Sequence, residues 1–202
     1  MVRVLVVART QWGPGAVCIG VLALDNGRTF RLKTKDGNKT PESTACQVGD
    51  EWEMELRPMP PHGPFTDDAA VHAMKRIGNN PNPVAEIEKR CKIIEGTFDD
   101  LFEGHLQANS NGKRCIPGDA PLLTYHVQFW RPTISLELHE VTKFSGRTGL
   151  EFSDADGNAV AYVGTTVPPA HVAAGGLVRV SLADRAPNKD INDYWLQLSH
   201  VY

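Results

Sequence analysis

The C-terminal stretch Leu177–Tyr202 constrains the fold most, because it holds two strand-like runs around a polar loop. Leu177–Leu182 and Tyr194–Tyr202 are rich in Val, Leu, Tyr and Trp, and Ala183–Asp193 between them contains Pro and Asn. Apolar, aromatic runs bounded by turn residues are typical of β-strands. The pattern predicts a β-hairpin that completes a sheet or a barrel.

Short strand-like runs recur in both halves of the chain. In Glu51–Arg57, apolar residues alternate with glutamates, which predicts a half-buried strand with an acidic outer face. Asp25-Asn26-Gly27 is a strong turn signal between two further runs. The predicted strands are residues 2–8, Ala16–Leu24, Arg28–Thr34, Glu51–Arg57, Thr124–Trp130, Thr133–Val141, Gly149–Ser153, Ala159–Gly164, Leu177–Leu182 and Tyr194–Tyr202.

The middle of the chain interrupts this series. Residues 58–66 are Pro-rich and predict an extended loop, and Asn109–Pro121 is polar and predicts a linker. Two helices are expected, Ala69–Ile77 after the caps Asp67-Asp68 and Val84–Glu95. The chain is therefore predicted to be mainly β, with two OB-like barrels in tandem. Residues 1–65 are predicted to form the core of the first barrel, and residues 122–202 the second barrel. Residues 66–121 are predicted to be a helical and loop connection that could complete the first barrel.

The composition fits a globular protein and contains no enzyme signature. The chain has 202 residues and a net charge of −3, which gives no global attraction to a polyanion. No CxxC, HExxH, GxSxG or P-loop pattern occurs, so no catalytic residue, metal or cofactor is assigned. The four widely spaced cysteines, the short apolar start broken by Arg9 and the absence of a long apolar run predict a cytoplasmic protein without disulfides or a membrane span.

Basic charge is concentrated in one segment of this acidic chain. Residues 26–40 hold Arg28, Arg31, Lys33, Lys35 and Lys39 against one acid, whereas residues 41–56 hold five acids and no base. Two-residue spacing places Arg31 and Lys33 on one face of a strand, and Trp12 and Phe30 are the candidate stacking surfaces beside them. The candidate nucleic-acid site, with single strands favoured, is Arg9, Trp12, Arg28, Arg31, Lys33 and Lys35. The alternative is that Phe30 and Leu32 are core residues and the lysines form a solvated edge.

Four places in the chain resemble the dual-OB-containing domain family of bacteria. They are Leu5–Arg9 with Ala16–Gly20, then Phe30-Arg31-Leu32, then Leu150-Glu151-Phe152 with Ala161–Thr166, and finally Val180-Ser181-Leu182 with Tyr194–Leu198. The resemblance implies a non-enzymatic module that binds nucleic acid in bacterial conflict or defence systems.

Two other function classes stay open. The acidic strand Glu51–Glu55 and the Pro-rich loop Pro58–Pro64 fit a protein-docking subunit of a larger complex. His62, Asp67 and Asp68 could serve a hydrolytic site that no motif marks. A nucleic-acid binder is distinguished from both by binding that depends strongly on salt.

Overall fold

Two β units make up the chain in the computed structural model, which describes residues 1–61, 65–108, 112–118, 123, 125–142, 146–183 and 193–202. Strands account for 54% of the residues and helices for 8%, so the predicted mainly β class with two barrel-like units is confirmed. The first unit comprises Met1–Lys92 and Gly164–Thr166, and the second comprises Ile93–Val163 and Val167–Tyr202.

The first unit is a closed barrel. Its strands are β1 (Val2–Gln11), β2 (Ala16–Ala23), β3 (Thr29–Lys33), β4 (Thr40–Pro41), β5 (Asp50–Pro58) and β6 (Asp68–Asn79). Within the described residues five of them close in the order β1-β2-β3-β6-β5-β1, and β4 pairs only with β2. The β3–β6 pair is parallel and the other pairs are antiparallel.

Alternation of side chains along these strands builds the barrel core. One face of each strand supplies apolar residues to the interior, including Val4, Val6, Val17, Ile19, Val21, Phe30, Leu32, Trp52, Met54 and Ala69. Phe30 and Leu32 are thus core residues, so Phe30 is not the stacking surface proposed from the sequence. Trp52 and Met54 point inward as predicted, but Glu51 is buried and ion-paired with Arg3 rather than solvent-facing.

The tight turn between β2 and β3 confirms the Asp25-Asn26-Gly27 signal. Gly27 has φ +73°, and a Cβ there would lie 2.6 Å from the carbonyl oxygen of Arg90. Glycine therefore meets both a backbone and a packing requirement at this position.

The predicted helix Ala69–Ile77 is wrong, because these residues form β6. That strand pairs with β5 along its length, from Asp50↔Asn79 to Pro58↔Ala69. The second predicted helix is shorter than expected. Helix α1 (Pro83–Arg90) begins after the N-cap Asn82, and β7 (Ile93–Gly96) follows it in the second unit.

The second unit contains a curled sheet and, in its described part, a kinked 3₁₀ segment. Its further elements are the 3₁₀ helix Phe98–Gly104 and the strands β8 (Gln107–Ala108), β9 (Arg114–Ile116), β10 (Val127–Pro132), β11 (Leu136–Thr142), β12 (Thr148–Ser153), β13 (Ala159–Tyr162), β14 (His171–Val172), β15 (Val178–Leu182) and β16 (Tyr194–Val201). In the described part the main sheet has the order β14-β11-β12-β13-β16-β15-β10-β7. The C-terminal pair β15–β16 is antiparallel, as predicted, and 184–192 between them lie outside the described residues.

Both units use the same strand connectivity. Three consecutive strands are antiparallel, the third pairs in parallel with the last, and the last pairs antiparallel with the one before it. In the second unit the role of the first strand is divided, because β10 pairs with β15 while β11 pairs with β12. The two units are therefore structural repeats that no fixed sequence period indicates.

Local predictions in the second half need two changes. Arg131 and Pro132 belong to β10 instead of separating two strands. Strand β9 lies inside the predicted linker Asn109–Pro121, of which 109–111 and 119–121 are outside the described residues. Thr124, the predicted start of a strand, also lies outside them.

No helix in the described part of the chain is long and apolar enough to cross a membrane.

Candidate functional site

The outer face of β3 and β6 carries the charged cluster of the first barrel. Arg31 and Lys33 alternate with the core residues Phe30 and Leu32, so their side chains leave the barrel on its outside. Parallel pairing sets Arg31 opposite Asp68 of β6. The shared face predicted for Arg31 and Lys33 is therefore present, and an acid that is distant in sequence lies beside it.

Arg31 and Asp68 form a buried bidentate ion pair. Arg31 Nε lies 2.5 Å from Asp68 Oδ1 and Arg31 Nη2 lies 2.9 Å from Asp68 Oδ2. Lys33 Nζ is 3.6 Å from Asp68 Oδ2. The three residues are 6%, 2% and 7% exposed for Arg31, Asp68 and Lys33, respectively. Such geometry holds the guanidinium in place and removes it from solvent.

Three cationic side chains contact the ring of Trp12. Lys33 Nζ lies 3.9 Å, Lys39 Nζ 4.8 Å and Arg31 Cζ 5.3 Å from the ring centroid. Phe65 contacts the same guanidinium, with Arg31 Cζ 4.2 Å from its ring centroid. These distances are typical of cation–π contacts. Trp12, Arg31, Lys33, Lys39 and Phe65 are called the Trp12 platform below.

The two aromatic residues of the platform lie in two different loops. Trp12 begins the β1–β2 connection, and its backbone N–H donates to the carbonyl oxygen of Ala16 at 2.9 Å. Phe65 lies in the β5–β6 connection and is buried, whereas Trp12 is half-buried. Trp12 is therefore partly accessible, whereas Phe65 is not.

The other residues of the predicted site are dispersed around the barrel. Arg9 is buried in β1, and its Nη2 donates to the carbonyl oxygen of Glu42 at 2.5 Å. Arg28 is exposed and its Cζ lies 5.2 Å from the ring centroid of Phe30. Lys35 is exposed just beyond β3. The structure thus groups Trp12 with Arg31 and Lys33, and places Arg9 in an internal role.

Sequence reasoning missed Lys39, Phe65 and Asp68 as members of the cluster. Lys39 belongs to the same basic run, so its charge was a usable signal. Phe65 and Asp68 reach the site through strand pairing between β3 and β6, which no local pattern marks.

A groove of about 220 Å³ opens next to the platform, where β3 and β6 diverge after Lys33 and Ala70. Its apolar walls include Ile19, Leu32, Val71 and Met74. Its basic lining residues are Lys33, Lys35 and His72, and no carboxylate occurs among the described lining residues. We call this space the β6 groove.

A buried thiol also lines the β6 groove. Burial, followed by the negative charge of Asp50, raises the pKa of Cys46 to about 11. Because the thiolate is the reactive form, Cys46 is a packing residue at neutral pH and not a nucleophile. None of the four cysteines, all of which the structure describes, is in a disulfide.

Acids near the end of β6 are engaged in ion pairs. Burial pushes the pKa of Asp50 upward, but hydrogen bonds from Arg76 and from the Gln47 N–H outweigh it, so the net pKa is lowered. Burial has the same opposing effect on Glu51, whose pKa is lowered by hydrogen bonds from Arg3 and Asn80. The predicted acidic strand is therefore partly neutralised within its own barrel.

Of the residues suggested for a hydrolytic site, Asp67 and Asp68 lie in the described part of the chain. Asp68 is committed to Arg31, and His62 lies outside the described residues. No group of three or more His, Cys, Asp or Glu side chains is placed to hold a metal ion in the part of the chain that the structure describes.

One histidine of the second unit makes stability depend on pH. Burial, with a smaller effect of Arg179, lowers the pKa of His200 to about 4 from 6.5. The unfolded chain binds the extra proton between pH 6.5 and 4, so stability is complete above pH 6.5 and is lost as the pH falls through this window. We expect unfolding free energy to drop by about 2 kcal/mol from pH 7 to 5, and His200→Gln to flatten the curve. Chemical denaturation at several pH values tests this, and parallel curves for both proteins would contradict it.

Comparisons with known proteins add no family. No family model matches the chain, and no curated protein matches it. A solved structure described as "Structural mimicry for functional antagonism" is similar at a TM-score of 0.36 and 10% identity, covering 100% of this chain and 91% of that chain. So low a TM-score carries no argument about fold or function.

Proposed function

We propose that the first barrel binds single-stranded nucleic acid at the Trp12 platform. The observation that carries the proposal is the half-buried Trp12 ring with three cations within 5.3 Å of its centroid, on the outside of a barrel. Single-strand binders combine an aromatic surface for base stacking with a basic groove for the phosphates. A tryptophan surrounded by cations supplies both elements in one place.

The connectivity supports an OB-fold reading of the first barrel. Its five strands close in the order β1-β2-β3-β6-β5, with a parallel pair between the third and the last. OB folds bind oligonucleotides on the face of their second and third strands, between the loop after the first strand and the loop before the last. Trp12 and Phe65 lie in those two loops, and Arg31 and Lys33 lie on that face.

Roles within the platform follow from burial. Arg31 and Lys33 are buried against Asp68, so they orient Trp12 and set the local positive potential. Lys35 and Lys39 are exposed and belong to none of the ion pairs found among the described residues, so they are the phosphate contacts. Trp12 stacks on a base.

The second unit and the resemblance to the dual-OB-containing domain family support a wider context. Both units have the same strand connectivity, as a tandem of OB barrels requires. We therefore infer a non-enzymatic, cytoplasmic module that acts in a bacterial conflict or defence system. Its alternative is a docking subunit of a larger complex.

Reversal of the two exposed lysine charges tests the proposal. We expect Lys35→Glu with Lys39→Glu to weaken binding of a labelled single-stranded oligonucleotide at least tenfold at low salt. The log–log salt slope should become shallower by about one to two, because roughly 0.7 counterion is released per phosphate contact. Fluorescence anisotropy at several salt concentrations measures both quantities.

The matched control is Lys89→Glu with Lys92→Glu, which changes the net charge equally at two exposed lysines of the same unit. Trp12→Ala should weaken binding in the same assay with little change in slope, and Trp12→Phe should recover part of the loss. If both lysine pairs change the affinity and the salt slope equally, the net charge of the protein, and not the Trp12 platform, determines binding. No binding of the wild-type protein at low salt would favour the docking subunit instead.

A further inference from the structure

We propose that the β6 groove binds one nucleotide, with the base between its apolar walls and the phosphate at its basic rim. This inference rests on the proposed function, because the groove continues the Trp12 platform. Lys33 belongs to both, lying 3.9 Å from the Trp12 ring centroid and lining the groove. A strand stacked on Trp12 would thus reach a second base site next to the first.

The lining suits a ligand that is apolar in the middle and anionic at one end. Val71, Ala73 and Met74 give the groove an accessible apolar surface, and the core residues Ile19 and Leu32 close it from the barrel interior. Lys35 supplies a positive charge and His72 a ring N–H donor, and no carboxylate occurs among the described lining residues. A volume of about 220 Å³ is below the usual range of drug-sized pockets, and fits a single ring system.

The backbone offers polar groups to the edge of a base. In the described ladder β3 and β6 pair only from Arg31↔Asp68 to Lys33↔Ala70, so the β3-facing edge of β6 beyond Ala70 joins no strand. Hydroxyl groups of Thr34, Thr40 and Thr44 also line the groove. Thr40 already donates to the carbonyl oxygen of Leu32. Thr34 Oγ1 accepts from the Asn38 N–H at 3.1 Å, so the Thr34 hydroxyl can still donate to a ligand, and Thr44 offers a second hydroxyl.

The same edge argues against an added peptide strand. Register shifts in the β5–β6 pair leave His72 and Ile77 without opposite residues. Such bulges disturb the regular spacing that strand addition requires and are common beside binding sites. A compact ligand is therefore favoured over an extended peptide.

Filling the groove tests the inference on the full-length protein. Ala73 lines the groove and is exposed, so Ala73→Trp occupies the space without removing a core side chain. Ala85→Trp, on the exposed side of α1, is the matched control. The probes are AMP and an oligodeoxyadenylate of 12 nucleotides. They distinguish a groove that binds a free nucleotide from one that binds a nucleotide within a single strand.

We expect Ala73→Trp to weaken binding of the 12-residue strand at least tenfold and Ala85→Trp to change it less than twofold. In methyl NMR spectra the probe should shift the Met74 signal in the groove and leave the signal of Met1, which does not line the groove, unmoved. Binding of AMP that Ala73→Trp abolishes would assign the groove to free nucleotides, even if no strand binds.

The two proposals fail separately. If Trp12→Ala weakens binding of the strand while Ala73→Trp does not and Met74 does not shift, the groove inference is overturned and the platform stands. If neither probe binds the wild-type protein, both proposals are overturned.

Discussion

Asp68→Ala is expected to lower the free energy of unfolding of the first barrel by about 3–5 kcal/mol. Asp68 is 2% exposed and is the counter-charge for Arg31 at 2.5 Å and for Lys33 at 3.6 Å. Removal of the Asp68 carboxylate leaves the cations of Arg31 and Lys33 buried without it. The resulting loss in the free energy of unfolding is larger than the stabilisation that the ion pair itself provided. The platform loses its positional anchor at the same time.

The exposed pair Arg57–Glu55 provides the control. Their side chains are 64% and 45% exposed and lie 3.0 Å apart, so Glu55→Ala should cost less than about 0.5 kcal/mol. Since two units need not unfold together, denaturant-dependent hydrogen exchange of β1, β2 and β3 peptides measures the barrel separately. A loss below about 1 kcal/mol for Asp68→Ala would show that the buried cations find other compensation.

The double variant Asp68→Ala with Arg31→Met separates the pair from the rest of the cluster. It should be more stable than the sum of the two single losses predicts, because the charge left behind by Asp68→Ala is removed as well. Strict additivity would mean that the two side chains do not act as a pair.

The same cluster shows how far the sequence could predict the site. Two-residue spacing correctly places Arg31 and Lys33 on one strand face. Lys39 belongs to the same basic run but was not assigned to the site, although it lies 4.8 Å from the Trp12 ring centroid. Burial of the cations was not predictable, because Asp68 lies 37 residues away and arrives through a parallel strand pair. Non-local pairing, rather than local composition, decides which charges meet solvent.

Strand β6 shows the corresponding limit for the fold. Ala, Met and Lys in residues 69–77 favour a helix by intrinsic propensity. Pairing with β5 over the whole strand, together with burial of Ala69 in the core, outweighs that preference. By contrast, β1, β2 and the C-terminal hairpin were predictable because apolar, β-branched and aromatic residues dominate them and turn signals bound them.

Trp130→Ala is expected to destabilise the second unit by about 3–5 kcal/mol. Trp130 is 0% exposed in β10, its ring centroid lies 4.9 Å from that of Phe98, and its Nε1 donates to the Gly96 carbonyl oxygen at 3.0 Å. Alanine leaves a large cavity and removes that hydrogen bond. Trp130→Phe, which keeps the ring contact but loses the donor, should cost less.

Trp130→Ala also tests where nucleic acid binds, because Trp130 lies in the second unit and the proposed site lies in the first barrel. If the first barrel carries binding, Trp130→Ala should lower exchange protection in β10, β15 and β16 more than in β1 and β2. Affinity for the single-stranded oligonucleotide should stay within twofold at a temperature where the second unit is still mostly folded. The half-buried Trp195 provides a comparison, since Trp195→Ala removes less buried surface and should cost less stability. A loss of affinity in step with the opening of β10 would instead place part of the binding surface on the second unit.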